Sequence, residues 1–354
     1  MSKLAWTEVM NQLSQGHDLT VNQAYDVMDS VMSGELGEIR LSAFLAALRA
    51  KGEAVTEVRG LADAMQNHAR PIDVPTDVLD IVGTGGDGAR TVNISTMASM
   101  VIASTGVPVV KHGNRASTSA CGSADVLEAL GVNLDLEPDE IARIFDDVGI
   151  AFLFANLFHP SMRYAASVRR ELGFPTVFNI LGPMTNPAKP QSCAIGVSRR
   201  SAAELMAGVF ASRGTNALVF HGAERGLDEL TTIEPAEIWA VEHGEITRFT
   251  FDPRDALDMK PARVDDLRGG DAQENATAVT RTFAGNEGPI RDAVTINAAA
   301  GIVAFSTLGS GDRRHTEDDL VSAIQAAHTQ ACEAIDTGRT TETLNRWVTA
   351  TARG

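Results

Sequence analysis

The chain has 354 residues, 44% hydrophobic and 21% charged, an ordinary globular mix long enough for one large domain or two unequal ones. A formal net charge of −16 argues against a nucleic-acid surface, which needs a basic footprint. Three cysteines (Cys121, Cys193, Cys332) are too few and too scattered for a disulfide framework or a zinc site. No run reaches the roughly 18 apolar residues of a membrane span, and "MSKLAWTEVMNQL" has no apolar signal core, so the sequence reads as cytoplasmic.

Residues 1 to about 70 read as helices. Val21, Tyr25, Met28 and Met32 fall on one helical face, with Thr20 as cap and Gly34 as stop. Leu41, Phe44, Leu45 and Leu48 form the next stripe, closed by Gly52. Thr56 can cap a third helix carrying Val58, Leu61 and Met65. "RPIDVPTD" (70–77) reads as a linker, so the spacing predicts a helical domain over 1–72 and a second domain over 73–354.

The texture then changes. "VLDIV", "VPVV", "IAFLFA", "CAIGV" and "ALVFHG" are short apolar runs between helical segments such as 96–106, 123–131 and 201–213. Strand and helix alternating at this spacing predict an α/β domain with a mainly parallel sheet flanked by helices. "EIWAVEHGEITRFTF" (237–251) predicts an antiparallel pair turning at His243-Gly244, and 316–347 reads as helix.

"DIVGTGGDGARTVNIST" (80–96) matches the dinucleotide pattern at Gly83, Gly85 and Gly88. That motif needs the third glycine to open a helix and an acid roughly 20 residues on. Instead "ARTVN" follows Gly88, and the next run ends in Lys111-His112. What remains is a glycine loop, then Thr91, Asn93, Ser95 and Thr96 at a helix start, which suits an extended anion such as pyrophosphate. A plain tight turn is the alternative for the loop by itself.

"KHGNRASTSACGSADVLEALG" (111–131) is a second polar loop feeding a helix, with Lys111, His112 and Arg115 clustered in an acidic chain. Adjacent parallel strands bring their C-terminal ends together, so the two loops predict a ligand with two phosphate-bearing ends. Asp228 and Glu229 follow a third strand and are candidate Mg2+ ligands, which would also offset the charge problem. Prolines and glycines in "RRELGFPTVFNILGPMTNP" (169–187) predict an ordered, irregular connection. Arg169 before it could hold a substrate carboxylate or form a surface salt bridge.

Together "LSAFLAALRAKGE", "GTGGDGARTVNIST", "KHGNRASTSACGSADVLEALG", "VRRELGFPTVFNILGPMTNP" and "GLDEL" resemble the anthranilate phosphoribosyltransferases of tryptophan biosynthesis, in the family's order and over nearly the whole chain. The resemblance implies a nucleoside phosphorylase/phosphoribosyltransferase-like fold in which anthranilate's amine displaces pyrophosphate from 5-phosphoribosyl-1-pyrophosphate (PRPP). It implies PRPP contacts at Gly83, Gly86, Asp87, Thr91, Asn93, Ile94, Ser95 and Thr96. Further contacts would come from Lys111, His112, Gly113, Asn114, Arg115, Ala116, Ser117, Thr118, Ser119 and Ser123.

By the same resemblance, Gly83, Asn114 and Arg169 would meet anthranilate, and Ser95, Asp228 and Glu229 would hold Mg2+, two ions per site. It further implies a homodimer through the helical part and a possible anthranilate synthase partner. No covalent nucleophile or general base is expected, because an aromatic amine is neutral at pH 7. Asn156 stands where the family usually has proline, and Thr118 where it has serine. A pyrimidine nucleoside phosphorylase and a non-catalytic nucleic-acid-binding relative are the rival readings; net charge and the intact Asp228-Glu229 pair oppose the second.

Overall fold

The computed structural model describes residues 5–116, 120–311 and 313–352; Ser117, Thr118 and Ser119 lie outside them. The chain forms two compact units, one of residues 1–71 and 155–187, the other of 72–154 and 188–354. Segment 155–187 groups with the leading helices and not with the α/β body. Arg49 donates to the Pro175 carbonyl at 2.6 Å, and Gln66 to the Asn186 carbonyl at 2.8 Å.

The helical unit starts with Trp6–Ser14, Val21–Met32, Glu38–Lys51 and Val55–Asn67. Thr20 caps Val21–Met32 as expected, in a reciprocal capping box with Gln23. The Thr56 cap is corrected. The fourth helix begins two residues earlier, at Val55 with Ala54 as N-cap, whose N–H is taken by the Glu57 carboxylate at 2.8 Å. Thr56 instead donates to the Leu19 carbonyl at 2.9 Å. Glu57 is wholly buried, accepts from the Leu19 N–H at 2.9 Å and pairs with Lys51 at 3.0 Å, so one carboxylate ties three segments. Helix Arg163–Leu172 and the short Phe178–Leu181 belong to the returning segment.

His159, also in this unit, is buried and bonds the Thr185 carbonyl at 3.0 Å. Burial pushes its imidazole down to about 4, against the pull of that bond. In the unfolded chain the ring titrates near 6.5, so between pH 6.5 and 4 the unfolded state takes a proton that the fold refuses. Stability should fall by about 2–3 kcal/mol from pH 7 to 4 through this group. His159→Gln should flatten that part of a urea-midpoint profile; an unchanged slope refutes the assignment.

The α/β unit holds one seven-stranded sheet: β1 (Leu79–Gly83), β2 (Val109–Gly113), β3 (Ile150–Phe154), β4 (Ser192–Gly196), β5 (Asn216–Gly222), β6 (Ala236–Glu242) and β7 (Glu245–Phe251), in the order β3-β2-β1-β4-β5-β6-β7. β1 to β5 are parallel; β6 and β7 add antiparallel, turning at His243-Gly244 with positive φ at both residues (52° and 76°). Every residue of β4 is buried. Successive side chains point to opposite faces, so both faces are covered, which is why these strands read as apolar runs without alternation. Helices Ile94–Ser104 and Pro289–Ser306 pack on β1, and Arg200–Arg213 on β5 to β7. Among the described residues no helix is long and apolar enough to cross a membrane.

The strand order fixes where a ligand can go. The chain builds outward from β1 to β2 and β3, then returns to place β4 on the other side of β1. The crevice beyond the C-terminal ends of β1 and β4 is a topological switch point, the usual ligand position in an open parallel sheet.

Candidate active site

Gly83 ends β1, Gly196 ends β4, and the two are register partners. Asp228, from the loop between β5 and β6, lies over both. A Cβ on Gly83 would stand 2.5 Å from Asp228 Oδ2, and one on Gly196 would overlap the Asp228 carbonyl oxygen. These glycines serve close approach. Gly196→Ala should displace the loop and lower activity about a hundredfold or more, the cost of misplacing reacting groups by about 1 Å. Retained kcat in a folded Gly196→Ala enzyme would contradict that placement.

The glycine loop wraps the same carboxylate. The Gly85 N–H donates to Asp228 Oδ2 at 2.6 Å, and Ser198 Oγ pins the Gly85 carbonyl at 2.9 Å. Gly85, Gly86 and Gly88 have φ of 69°, 86° and 75°, the left-handed region that glycine adopts without strain. Among the described residues, no protein acceptor takes the N–H of Gly86, Asp87 or Gly88.

Helix Ile94–Ser104 begins two residues before the expected start at 96, with Asn93 as N-cap, but the Asn93 side chain does not cap it. Its amide donates to the Cys121 carbonyl at 3.1 Å and accepts from Asn275 at 2.8 Å. Ile94 is wholly buried, so only its backbone can face a ligand. The Ser95 N–H donates to Glu229 at 3.2 Å, and Thr96 bonds Ser123 at 3.0 Å. Thr91 makes an isolated bridge with Arg268.

Lys111 and His112 are corrected from loop to strand: β2 runs through both to Gly113. Lys111 is wholly buried, with its ammonium donating to the Ile81 carbonyl and to Ser95 Oγ. Burial pushes it down to about 8, while Asp80 and Glu229 pull upward. Asn114, Arg115 and Ala116 are exposed. Arg115 is engaged with Glu128 through two bonds (2.5 and 2.8 Å) and with Asp125 at 3.0 Å. The basic cluster is thus two different things: one buried cation at the sheet edge, and one arginine committed to helix Ser123–Ala129.

Asp228 is buried, and burial, then Asp87 nearby, push its carboxyl up to about 7. Burial, then Asp228, hold Glu229 well above the usual carboxylate range, while Lys111 and the Ser95 N–H pull it down. Neither makes an ion pair within 4 Å among the described residues, which also hold no cluster of three or more His, Cys, Asp or Glu side chains able to bind a metal. Two carboxylates deprived of water fit a hard divalent cation that draws its other ligands from substrate oxygens and water. Asp87's part in this group carries no sequence signal beyond its place in the loop.

Arg169 sits on the exposed face of helix Arg163–Leu172, in the helical unit. The surface salt bridge is absent: its guanidinium stacks 5.3 Å over Phe178 and has no acidic partner among the described residues. Asn156 is exposed, in the short helix Ala155–Phe158.

Residues 75–341 match the glycosyl transferase family a/b domain and residues 7–69 the glycosyl transferase family helical bundle domain. The chain is 51% identical to an anthranilate phosphoribosyltransferase of Arthrobacter sp. (strain FB24), over 98% of this chain and 96% of that one. The chain belongs to the anthranilate phosphoribosyltransferase family. A second member, from Thermobifida fusca, is 48% identical over 98% and 97%. The crystal structure of the anthranilate phosphoribosyltransferase from Thermus thermophilus superposes with a TM-score of 0.86 at 38% identity, covering 97% and 99%. The Saccharomyces cerevisiae anthranilate phosphoribosyltransferase in complex with PRPP and Mg, at 24% identity, shares the fold with a TM-score of 0.85 over 100% and 99%.

Proposed function

We propose that this chain transfers the phosphoribosyl group of PRPP to the amine of anthranilate, releasing pyrophosphate, in tryptophan biosynthesis. One observation carries the reading: in a chain 51% identical to a named anthranilate phosphoribosyltransferase, the Asp228-Glu229 pair lies over the β1–β4 switch point beside a loop with unfilled N–H groups. The relatives' names support this over the phosphorylase and nucleic-acid alternatives.

The Gly86, Asp87 and Gly88 N–H groups and the start of helix Ile94–Ser104 would bind PRPP oxygens, helped by the Lys111 ammonium. Gly83, Thr91, Asn93, Ser95, Thr96, His112 to Ala116 and Ser123, with Ser117, Thr118 and Ser119, would complete the donor site. Arg169 would anchor the anthranilate carboxylate, with Gly83 and Asn114 as further acceptor contacts. Among the described residues its guanidinium meets no acid and stacks on Phe178, in keeping with that task. Mg2+, held by Ser95, Asp228 and Glu229, would supply positive charge to the leaving pyrophosphate when bound, and two ions per site are proposed. The nitrogen–carbon bond forms at the anomeric carbon as its bond to pyrophosphate breaks, and the amine proton is lost to solvent. The remaining work is positioning.

A homodimer is proposed from the resemblance, with the 88% exposed Ile39 on helix Glu38–Lys51 in keeping with a contact there, and a cytoplasmic location from the few, scattered cysteines. Docking of an anthranilate synthase subunit is proposed on the same ground. The deciding assay is the loss of anthranilate fluorescence on adding PRPP and Mg2+, with pyrophosphate released in equal amount. Unchanged fluorescence beside an active control enzyme would overturn the reading.

A further inference from the structure

The loop that carries Asp228 and Glu229 is gripped at both ends by polar side chains that the core has no other reason to hold. Asn297 lies in the middle of helix Pro289–Ser306, whose residues from Ala293 to Ala304 are all buried. An amide there is unfavourable unless its groups are bonded. The Leu230 N–H donates to Asn297 Oδ1 at 3.1 Å, and Asn297 Nδ2 donates to the Leu230 carbonyl at 2.8 Å and to the Ala293 carbonyl at 2.8 Å. Taking both the N–H and the C=O of one residue fixes the peptide planes on either side of it. Leu230 directly follows Glu229.

At the other end, Glu234 is 2% exposed and accepts three backbone N–H groups: Glu224 at 2.6 Å, Arg225 at 2.5 Å and Leu227 at 3.3 Å. Leu227 directly precedes Asp228, and its carbonyl accepts from the Gly222 N–H at 2.9 Å. A Cβ on Gly222 would collide with the Glu234 carboxylate, so the end of β5 is shaped around it. The acidic pair is thus suspended between two fixed residues, Leu227 and Leu230, above Gly83 and Gly196.

We infer that Asn297 and Glu234 are positioning residues that hold the Asp228-Glu229 carboxylates apart and aimed to receive a divalent cation, a role that rests on reading that pair as cation ligands. Two carboxylates buried side by side repel one another, so without the clamp the loop would relax away from the geometry that a cation needs. Outer partners of this kind commonly change cation affinity or activity by about 10- to 100-fold when removed.

The test uses the full chain and Mn2+ as the probe. Asn297→Asp keeps size and acceptor but cannot donate to the Leu230 carbonyl. Glu234→Gln keeps size but turns an NH2 toward N–H groups. Asn297→Ser replaces the first variant if a buried charge prevents folding. Mn2+ binding is followed by electron paramagnetic resonance with inorganic pyrophosphate present, and folding by near-ultraviolet dichroism and urea unfolding. Folded variants should bind Mn2+ about tenfold or more weakly, and raised Mg2+ should restore part of their kcat. A merely structural role would move the urea midpoint and leave Mn2+ affinity at the wild-type value, which overturns the inference. If the wild-type chain bound no Mn2+, the reading of the pair as cation ligands would fall first and this inference with it.

Discussion

Changing Asp228 to Asn and Glu229 to Gln together should lower kcat about a thousandfold, ~4 kcal/mol of transition-state stabilisation, and should leave the metal-free fold more stable than wild type. Both effects have one cause. Burial and Asp87 raise the Asp228 carboxyl to about 7, and burial and Asp228 raise Glu229 well above its usual range. A carboxyl whose folded pKa lies above its unfolded value is disfavoured as an anion in the fold. Its penalty begins as pH rises past the unfolded value near 3.8 and is complete above about 7. Neutral isosteres remove that penalty, so in EDTA at pH 8 the double variant should show a higher urea midpoint. The same titration sets the pH dependence of cation binding in the wild type. Below about pH 7 an incoming cation must displace a proton from Asp228, so Mg2+ affinity should weaken as pH falls. A double variant that is both inactive and less stable would mean that the pair holds the loop together and is not kept strained for a cation.

The parallel strands were legible because both of their faces are buried, which turns them into short apolar runs such as "CAIGV". Thr20 and the His243-Gly244 turn were legible because their chemistry is local: a hydroxyl that bonds the N–H of Gln23, and a tight reversal with two left-handed residues. Legibility failed where a distant partner decides. Segment 155–187 shows its prolines and glycines but not which body it packs on. Helix Pro289–Ser306 is buried on all sides, so it has no amphipathic stripe to find, and Asn297 inside it belongs to no motif. Glu234 looks like any acid in a loop until Glu224, Arg225 and Leu227 direct their N–H groups at it. The pairing of Arg115 with Glu128 and Asp125 is likewise hidden, because those acids lie on the following helix.

Lys111 shows the gap between pattern and physics most clearly, and it carries the second large effect. Composition places a lysine at the surface, yet this one is wholly buried at the end of β2. Its charge is set against Asp80, buried in β1, and Glu229, with its ammonium bonded to the Ile81 carbonyl and to Ser95. Lys111→Met removes the cation and leaves both carboxylates uncompensated, a change that costs about 3–5 kcal/mol when one partner of a buried charge group is lost. Adding Asp80→Asn should return part of the stability, because it removes a charge that the methionine cannot balance. It should return none of the donor affinity, because the ammonium beside Ser95 is still gone. In the wild type, PRPP binding should weaken as pH rises through about 8, where the buried ammonium loses its proton. Lys111→Met should lack that step. Recovery of PRPP affinity in the double variant would make Lys111 a counter-charge for Asp80 alone, whereas recovered stability with PRPP affinity still lost would separate its two roles, one in the fold and one at the anionic donor.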